Sequence, residues 1–308
     1  MSTLKPLIVI LGPTSSGKTE MGLRLAKKYN GEIINADSRQ IYREMNIGTG
    51  SPTTTKRLVP EAKPLLIDDI LHHLFNIKSP NQKFSLSQYK KLAIKTINCI
   101  HKRNKIPILV GGTGLYISAI VDNLEIPKAI PNKKIRERLE KHTEKYLFKK
   151  LQKIDLKSAK IIGENNKRKL IRALEVYEIT GKLFSSQQIK GELLFNVLQI
   201  GIKIDREELY KKIDYRVDKM IKAGLIKETK KLFKKYSSDL PAMSGIGYFE
   251  IGAYLKNEMS LEESTQRIKF RTHQYARRQI TWFKRDERIV WVKKYKESEK
   301  LIKRFLKN

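Results

Sequence analysis

The sequence contains little cysteine and no long apolar segment, and both absences narrow the class of protein. Cys99 is the single cysteine among 308 residues, which excludes an internal disulfide, and its apolar neighbours indicate ordinary packing. No apolar run approaches the roughly 18 residues of a membrane-spanning helix. The N-terminal MSTLKPLIVILG has no signal-peptide cleavage site. We therefore expect a cytoplasmic protein without a membrane partner.

Acidic residues are also scarce, because 32 Asp and Glu stand against 64 Lys and Arg, a net charge of +32. Such a field attracts polyanions, nucleic acids among them. A second explanation is compositional: lysine greatly outnumbers arginine, and isoleucine and asparagine are plentiful, as in a protein from an AT-rich genome. The charge alone does not decide between the two.

Patterns of buried strands alternate with helical patterns along the chain. Strands are predicted at 7–11, 32–36, 73–77, 106–110, 195–204 and 288–292, and helices at 18–29, 85–103, 206–232 and 261–284. This order predicts an α/β fold with a P-loop NTPase-like parallel sheet core. Residues 122–191 are charged, helical and nearly free of strand signal, so we expect a helical insertion domain there. The core would then comprise 1–121 and 192–308.

The segment GPTSSGKT, from Gly12 to Thr19, satisfies the phosphate-binding pattern G-x-x-x-x-G-K-[ST]. It lies between a predicted strand and a predicted helix, which is the context that this motif requires. Backbone N–H groups of the loop would bind a di- or triphosphate, Lys18 would neutralise its charge, and the Thr19 hydroxyl would hold Mg2+. The motif predicts a phosphate site and leaves hydrolysis open.

Two further turns come where predicted strands end. Asp37, in NADSRQIYR, follows the second strand and so lies at the carboxyl edge of the sheet, where α/β proteins bind ligands. Its carboxylate would bind Mg2+, orient a water, accept a proton, or only cap a turn. After the fourth strand, Gly111, Gly112 and Gly114 would let a ligand approach the backbone, and Thr113 offers a hydroxyl.

The glycine turn VGGTGLY stands where P-loop NTPases commonly place an acidic residue for Mg2+ and water. The acidic pair Asp68 and Asp69 in LLIDD is a weak substitute, because a second strand follows within a few residues. A phosphate site without an obvious hydrolytic apparatus indicates that the phosphate has another fate, such as that of a leaving group.

Basic residues recur in two helical segments of the second half. In DREELYKKIDYRVDKMIKAGLIKE, three basic residues would either clamp a diphosphate or face solvent: Arg206, Lys212 and Arg216. In QRIKFRTHQYARRQITWFKRDERIVWVKK, basic residues interleave with aromatics. Arginine for phosphates and aromatics for unstacked bases favour loop or single-stranded RNA. The alternative is a solvated helix face with its aromatics in the core.

Five stretches together resemble the tRNA dimethylallyltransferase family, also called tRNA isopentenyltransferases or IPP transferases. In chain order they are GPTSSGKT, NADSRQIYR, VGGTGLY, RALEVYEITG and RRQITWFKRD. The similarity extends over nearly the whole chain, and kinases and GTPases do not share this set. No C-terminal Cys/His zinc finger is present, so the chain is similar to the shorter bacterial form.

The resemblance implies transfer of a dimethylallyl group from dimethylallyl diphosphate to N6 of adenosine 37 in tRNAs that read codons starting with U. The diphosphate would then leave whole, which agrees with the missing hydrolytic residue. The implied cofactor is Mg2+ and the implied partner is the tRNA anticodon stem–loop. We expect the protein to be a monomer.

Residue roles carried over from the family fall into three sets. Asp37 would be the general base and Thr14 would contact the diphosphate near the breaking C–O bond. The diphosphate, with Mg2+ on Thr19, would contact Gly12, Pro13, Thr14, Ser15, Ser16, Gly17, Lys18, Thr19, Arg206, Lys212 and Arg216. The tRNA, with its flipped base, would contact Asp37, Ser38, Arg39, Gln40, Thr113, Lys167, Arg168, Arg172, Gly245, Gly247, Tyr248, Arg277, Arg278, Gln279, Trp282 and Lys284.

Three positions depart from the family pattern. Arg39 stands where an apolar residue, often Met, is common. Lys212 replaces an expected arginine, which exchanges a bidentate clamp for a point charge. Phe249 stands where a basic residue usually follows Gly-Tyr. None of the three removes a residue assigned to the chemistry.

Three other functions compete with this one. An adenylate isopentenyltransferase would share the P-loop and the aspartate but prenylate free AMP, ADP or ATP. A P-loop kinase would need a set of lid arginines and an acidic residue for Mg2+. A non-catalytic RNA-binding protein would leave the P-loop and Asp37 unexplained.

Overall fold

A computed structural model of the chain describes residues 4–52, 64–127, 129–187 and 189–307. By its internal contacts the chain divides into two compact units: Met1–Val121 together with Leu194–Asn308, and Asp122–Leu193. In the part of the chain that is described, no helix combines the length and the apolar character needed to cross a membrane.

The strands of the first unit form one sheet. They are β1 Pro6–Leu11, β2 Gly31–Asn35, β3 Leu65–Ile67, β4 Ile70–His73, β5 Ile106–Gly111, β6 Asn196–Ile202 and β7 Ile289–Val292. Within the described residues the order is β3-β4-β2-β5-β1-β6-β7, and all neighbours pair in parallel except β3 with β4. The central strands are apolar on both faces because helices cover both sides of the sheet. The predicted α/β class is confirmed.

The helices connect these strands and build the second unit. They are α1 Lys18–Lys28, α2 Leu86–Lys102, α3 Gly114–Val121, α4 Lys133–Glu140, α5 Glu144–Ile154, α6 Leu156–Ile162, α7 Lys167–Thr180, α8 Arg206–Lys222, α9 Leu225–Lys235, α10 Tyr248–Leu255, α11 Leu261–Phe283 and α12 Tyr295–Phe305. A short 3-10 helix covers Phe184–Gln187.

Three hydrophobic clusters stabilise the first unit. One sheet face packs on α2 and α3 through residues such as Ile97 and Ile120, and the opposite face packs on α1 and α12 through Leu25 and Ile302. A third cluster joins α8 to α11 with the segment that follows β2. The packed sheet therefore sets the positions of the strand ends. The third cluster holds α8 and α11 against the segment that follows β2.

The second unit is a small helical body with its own core. Leucines of α4, α5 and α7 pack together, and Leu147, Leu151 and Leu170 are fully buried. Glu175 is also fully buried, where Arg136 and Arg172 both bind its carboxylate. These two ion pairs offset the desolvation cost of burying the Glu175 carboxylate.

Two predicted elements differ from the structure. The strand predicted at 73–77 instead ends at His73, because Leu74 and Asn76 adopt positive φ angles of 63° and 53° that leave the strand conformation. The helix predicted at 206–232 is broken into α8 and α9, because Gly224 has a φ of 102°.

The acidic pair Asp68 and Asp69 forms the two-residue turn between β3 and β4, and both residues have positive φ. This turn precedes β4, which runs parallel to β2. It therefore lies at the amino edge of the sheet, away from the P-loop at the carboxyl edge of β1. The pair is not a substitute for the missing acidic residue.

Candidate active site

The P-loop connects β1 to α1 at the carboxyl edge of the sheet. Gly17 has a φ of 88° and immediately precedes the helix, so its backbone conformation favours glycine. The hydroxyls of Ser15 and Ser16 are buried, and no described residue forms a hydrogen bond with either of them. Buried hydroxyls need partners, so both are available to a ligand in the loop.

A cavity of about 320 Å³ lies against this loop. It is lined by Ser15, Gly17, Lys18, Thr19, Glu20, Lys212 and Arg216. Three of these side chains are cationic and one is a carboxylate, so the cavity suits an anion. The size and the backbone geometry fit a diphosphate.

Lys18 is the central cation of the cavity. Its Nζ donates to the carbonyl of Pro13 over 3.1 Å. Burial lowers the pKa of Lys18 to about 8, the Asp37 carboxylate opposes that change, and the Arg216 charge adds to it. The amine thus lies close to both charges, and a bound anion would favour its protonated form.

Arg216 reaches the cavity from α8. Its Nη1 donates to Thr14 Oγ1 over 3.0 Å, and its Nη2 donates to the Thr49 carbonyl over 3.1 Å. Burial lowers the pKa of Arg216, and the Asp37 charge opposes this. A held guanidinium can bind a phosphate group in a fixed direction.

The other two predicted basic residues of α8 differ from each other. Lys212 lines the cavity and forms an exposed ion pair with Glu208 at 2.6 Å. Arg206 does not line it: its Nε donates to Tyr210 Oη, and its guanidinium lies 5.3 Å from that ring. The structure therefore brings two of the three basic residues to the P-loop, because Arg206 lies on a different side of the helix.

Asp37 follows β2 in a hydrogen-bonded turn. Its N–H donates to Asn35 Oδ1 over 2.8 Å, and its Oδ1 accepts from the Arg39 N–H over 2.9 Å. Its other oxygen, Oδ2, has no hydrogen bond to any residue in the described ranges. Asp37 is thus a turn aspartate and also keeps one carboxylate oxygen for a ligand near Lys18 and Arg216.

Thr113 lies beside this turn, after β5. Its Oγ1 accepts from the Ser38 N–H over 3.0 Å. The charge of Asp37 also reaches Tyr275 of α11: burial first, and then this charge, raises the pKa of that tyrosine. From the sequence, Tyr275 stands out only as part of a basic and aromatic segment. The signal was its spacing of four and seven residues from Gln279 and Trp282, which places all three on one helix face.

The glycines after β5 make room for protein rather than for a ligand. An added Cβ would lie 2.3 Å from the Ala36 backbone at Gly111, 2.3 Å from Gln279 Nε2 at Gly112 and 2.2 Å from Trp282 Cδ1 at Gly114. The expectation that they admit a ligand is corrected accordingly. Gly111 lets the backbone after β2 lie against the end of β5, and Gly112 and Gly114 let α11 pack there.

Gln279 has a different role from the predicted contact with RNA. It is buried, its Oε1 accepts from the Thr14 N–H over 2.8 Å, and its Nε2 donates to the Gly112 carbonyl over 2.9 Å. Both polar groups of the amide are used within the protein. Gln279 therefore connects α11 to the P-loop, and its burial leaves little surface for the predicted RNA contact.

Other predicted RNA contacts are also engaged within the protein. Tyr248 is buried, and its hydroxyl donates to Glu228 over 2.7 Å, so it is corrected to a core residue. Gly245 and Gly247 are buried beside it. Arg39, one of the three departures from the family pattern, donates to the carbonyls of Pro241 and Ala242. It thereby connects the turn after β2 to the segment before α10.

The exposed part of α11 retains the predicted basic character. An open groove of about 500 Å³ is lined by Gln274, Arg277, Arg278, Thr281, Trp282 and Arg285. Trp282 is 37% exposed, and Lys284 is exposed just beyond. This surface offers donors for phosphates and an aromatic face for a base.

In the second unit, considered by itself, the three residues of α7 that were predicted to contact tRNA differ in how free their side chains are to bind a partner. Lys167 donates to the Glu140 carbonyl over 2.8 Å. Arg172 binds Glu175 and the Ala129 carbonyl, so it holds the core of that unit. Arg168 is exposed. Of the three, Arg168 is placed to contact a partner.

A magnesium ion in the P-loop cavity would be held by Thr19 together with ligands from the substrate. The described residues contain no group of three or more His, Cys, Asp or Glu side chains that could hold a metal. Thr19 lines the cavity. Its hydroxyl with diphosphate oxygens and water is a donor set that Mg2+ accepts.

Comparisons with known proteins agree on one family. The IPP transferase family model matches residues 40–286, and the isopentenyl transferase model matches residues 5–72. The chain is 42% identical over 307 residues to the tRNA dimethylallyltransferase of Acetivibrio thermocellus, covering 96% of this chain and 95% of that protein. It is 44% identical over 317 residues to that of Halothermothrix orenii, covering 97% and 93%.

Solved structures agree. The tRNA isopentenylpyrophosphate transferase of Bacillus halodurans superposes with a TM-score of 0.73 at 36% identity, covering 98% of this chain and 97% of that one. A eukaryotic dimethylallyltransferase acting on tRNA superposes with a TM-score of 0.75 at 31% identity, covering 90% and 69%.

Proposed function

The chain belongs to the tRNA dimethylallyltransferase (IPP transferase) family, and on this premise we propose that it prenylates adenosine 37, next to the anticodon, in tRNAs that read codons starting with U. The observation that carries the proposal is a diphosphate cavity lined by Lys18 and Arg216 with the Asp37 carboxylate beside both cations. A prenyl transfer needs these two features together. A kinase would need an acidic residue after β5, where the sequence has Gly111 and Gly112.

The reaction moves one carbon group and one proton. The exocyclic amine of the adenine attacks the methylene carbon of dimethylallyl diphosphate, and the C–O bond breaks with its electron pair on the diphosphate. The Asp37 carboxylate takes the proton that the amine loses. Its free oxygen Oδ2 is the atom available for this, since Oδ1 already accepts from Arg39.

The departing diphosphate is stabilised by preorganised donors. N–H groups of the P-loop, the ammonium of Lys18 and the guanidinium of Arg216 are in place before the bond breaks, so their stabilisation needs no rearrangement. Thr14 is the loop residue whose hydroxyl accepts from Arg216, which suits a contact near the breaking bond. Bound Mg2+, held by Thr19, would neutralise diphosphate charge.

The tRNA would lie against the exposed groove of α11. Arg277 and Arg278 would bind phosphates, and Trp282 would stack on a base. The target adenine would lie between the turn from Asp37 to Gln40 and Thr113. With a tRNA substrate we propose that the protein acts in the cytoplasm, as a single copy.

The test uses the full chain with Mg2+, radiolabelled dimethylallyl diphosphate and two acceptors in parallel. One acceptor is an anticodon stem–loop with adenosine at positions 36 to 38, and the other is AMP. We expect label in the RNA alone. Label in AMP would instead assign an adenylate isopentenyltransferase, and ATP turnover without any label would favour a kinase.

Asp37→Asn is the matched variant, because the amide oxygen can still accept from the Arg39 N–H and keep the turn. We expect a loss of transfer of about a hundredfold or more, with undiminished binding of pyrophosphate. Equal activity of this variant would remove Asp37 from the role of base.

A further inference from the structure

We propose that Glu228 is a positioning residue for the diphosphate site: its carboxylate fixes the turn at residues 46–50, and this turn holds Arg216. The inference rests on the proposed function, because Arg216 is there assigned to the diphosphate. Glu228 lies on α9, outside the lining of the cavity, and is the last residue of the segment DREELYKKIDYRVDKMIKAGLIKE, in which only the basic residues indicate a phosphate contact.

The carboxylate of Glu228 occupies a concave run of backbone donors. Its Oε2 accepts from the N–H groups of Asn46 at 3.1 Å and Ile47 at 2.9 Å, and its Oε1 accepts from the N–H of Gly48 at 3.1 Å. The Tyr248 hydroxyl donates to Oε1 over 2.7 Å. Consecutive N–H groups that converge in this way form a site for an anion, and the anion here is a side chain of the protein itself.

The carbonyl groups of the same turn face the active site. The Thr49 carbonyl accepts from Arg216 Nη2 over 3.1 Å. The carbonyls of Thr49 and Gly50 accept from Gln40 Nε2 over 3.3 and 3.0 Å. The turn therefore presents its N–H groups to Glu228 and its carbonyls to two residues of the proposed site.

Gly50 makes this arrangement close-fitting. Its φ of 60° is left-handed, and a Cβ at this position would lie 2.2 Å from Arg216 Nη2. The guanidinium is thus seated against the backbone of the turn. Its second contact is with Thr14 Oγ1 in the P-loop, so a displaced turn would leave Arg216 with one anchor.

Removing the charge of Glu228 would weaken four hydrogen bonds at once. Bonds to an ionised acceptor are the stronger kind, and partly buried donors without partners are costly. The turn would then be free to move, and Arg216 with it. The main predicted defect is in diphosphate binding, because the groove of α11 does not include this turn. A smaller effect would reach the target adenine through Gln40, which the turn also holds.

The experiment measures binding of pyrophosphate with Mg2+ to the full chain by calorimetry. Glu228→Gln is compared with Arg216→Ala and with the double variant. The matched control is Glu44→Gln, which removes a carboxylate that also joins this segment to α9, through Lys235 at 2.8 Å, but does not contact the turn.

We expect Glu228→Gln to weaken pyrophosphate binding about tenfold, the loss of roughly one charged hydrogen bond, and Glu44→Gln to leave it within about twofold. In the Arg216→Ala background Glu228→Gln should have no further effect, because it acts through that arginine. The KM for dimethylallyl diphosphate should rise more than the KM for the stem–loop.

Additive losses in the double variant, or an equal loss in Glu44→Gln, would overturn the inference. If Glu228→Gln does not fold, Tyr248→Phe removes a single donor to the same carboxylate and should give a smaller loss of the same kind; unchanged binding there also overturns it. If the variants show this pattern of pyrophosphate binding but the wild-type protein labels no RNA, only the proposed function is refuted. Normal RNA labelling with pyrophosphate binding insensitive to Glu228 would refute only this inference.

Discussion

Replacing Lys18 with methionine should stabilise the free protein while abolishing diphosphate binding. In the folded state burial lowers the pKa of Lys18 from its ordinary 10.5 to about 8. Because the folded pKa is the lower one, the unfolded chain holds more protons between about pH 8 and 10.5, and stability rises with pH in that window. At pH 7 both states are charged, and the folded protein bears the full cost of burying the ammonium.

The size of the effect follows from two terms. A pKa change from 10.5 to about 8 corresponds to about 3 kcal/mol, which solvent reduces because part of the side chain stays exposed. The substitution also removes the hydrogen bond to the Pro13 carbonyl, which contributes about 1 kcal/mol. The net stabilisation at pH 7 is then about 1 kcal/mol, or a rise in Tm of about 2 to 4 °C.

Thermal unfolding of wild type and Lys18→Met at pH 7 and pH 10.5, without ligand, measures this effect. We expect the higher Tm of the variant at pH 7 to disappear at pH 10.5, and pyrophosphate binding to be lost at either pH. Lys212→Met is the control, since that lysine lines the same cavity but is exposed, and its Tm should not change. A variant that is less stable at pH 7, or equally stabilised at both pH values, would refute the reasoning.

Two further predictions concern the contacts of α11. Gln279→Leu leaves the Thr14 N–H and the Gly112 carbonyl without partners, so we expect about 2 kcal/mol of destabilisation in thermal or denaturant unfolding and weaker pyrophosphate binding in calorimetry; a loss of RNA affinity alone would contradict this role. Gly114→Ala places a Cβ 2.2 Å from Trp282, so we expect weaker stem–loop binding by fluorescence anisotropy with unchanged pyrophosphate affinity, and the reverse pattern would contradict it.

The strands next to the P-loop could be predicted because their burial is complete. β1 and β5 are covered on both faces, and a continuous apolar run is the signature of that environment. The end of β4 could not be predicted. There the Asn35 side chain donates to the Leu74 carbonyl, a contact between residues 39 positions apart. It accompanies a positive φ at Leu74, which no local propensity favours.

Side chains that belong to local motifs could be located at the candidate site from the sequence, whereas the distant backbone partners of other side chains could not. The P-loop and Asp37 are recognisable because a glycine pattern or a strand end is close by in sequence. Gln279 binds a backbone N–H 265 positions away, and Glu228 binds three that are about 180 positions away. A backbone group has no residue identity, so nothing in the sequence marks which residue it will bind.

The geometry of α11 gives a physical reason why one helix carries contacts proposed for both substrates. Its buried face reaches the diphosphate loop through Gln279, while its exposed face carries Arg277 and Arg278 for the proposed RNA contacts. Transfer requires the amine and the methylene carbon to approach within about 3 to 3.5 Å. Since Gln279 bonds directly to the backbone of Thr14, the proposed RNA surface and the P-loop are supported by one helix. A shift of this helix would displace both substrates' contacts together, which preserves their separation better than two independent supports.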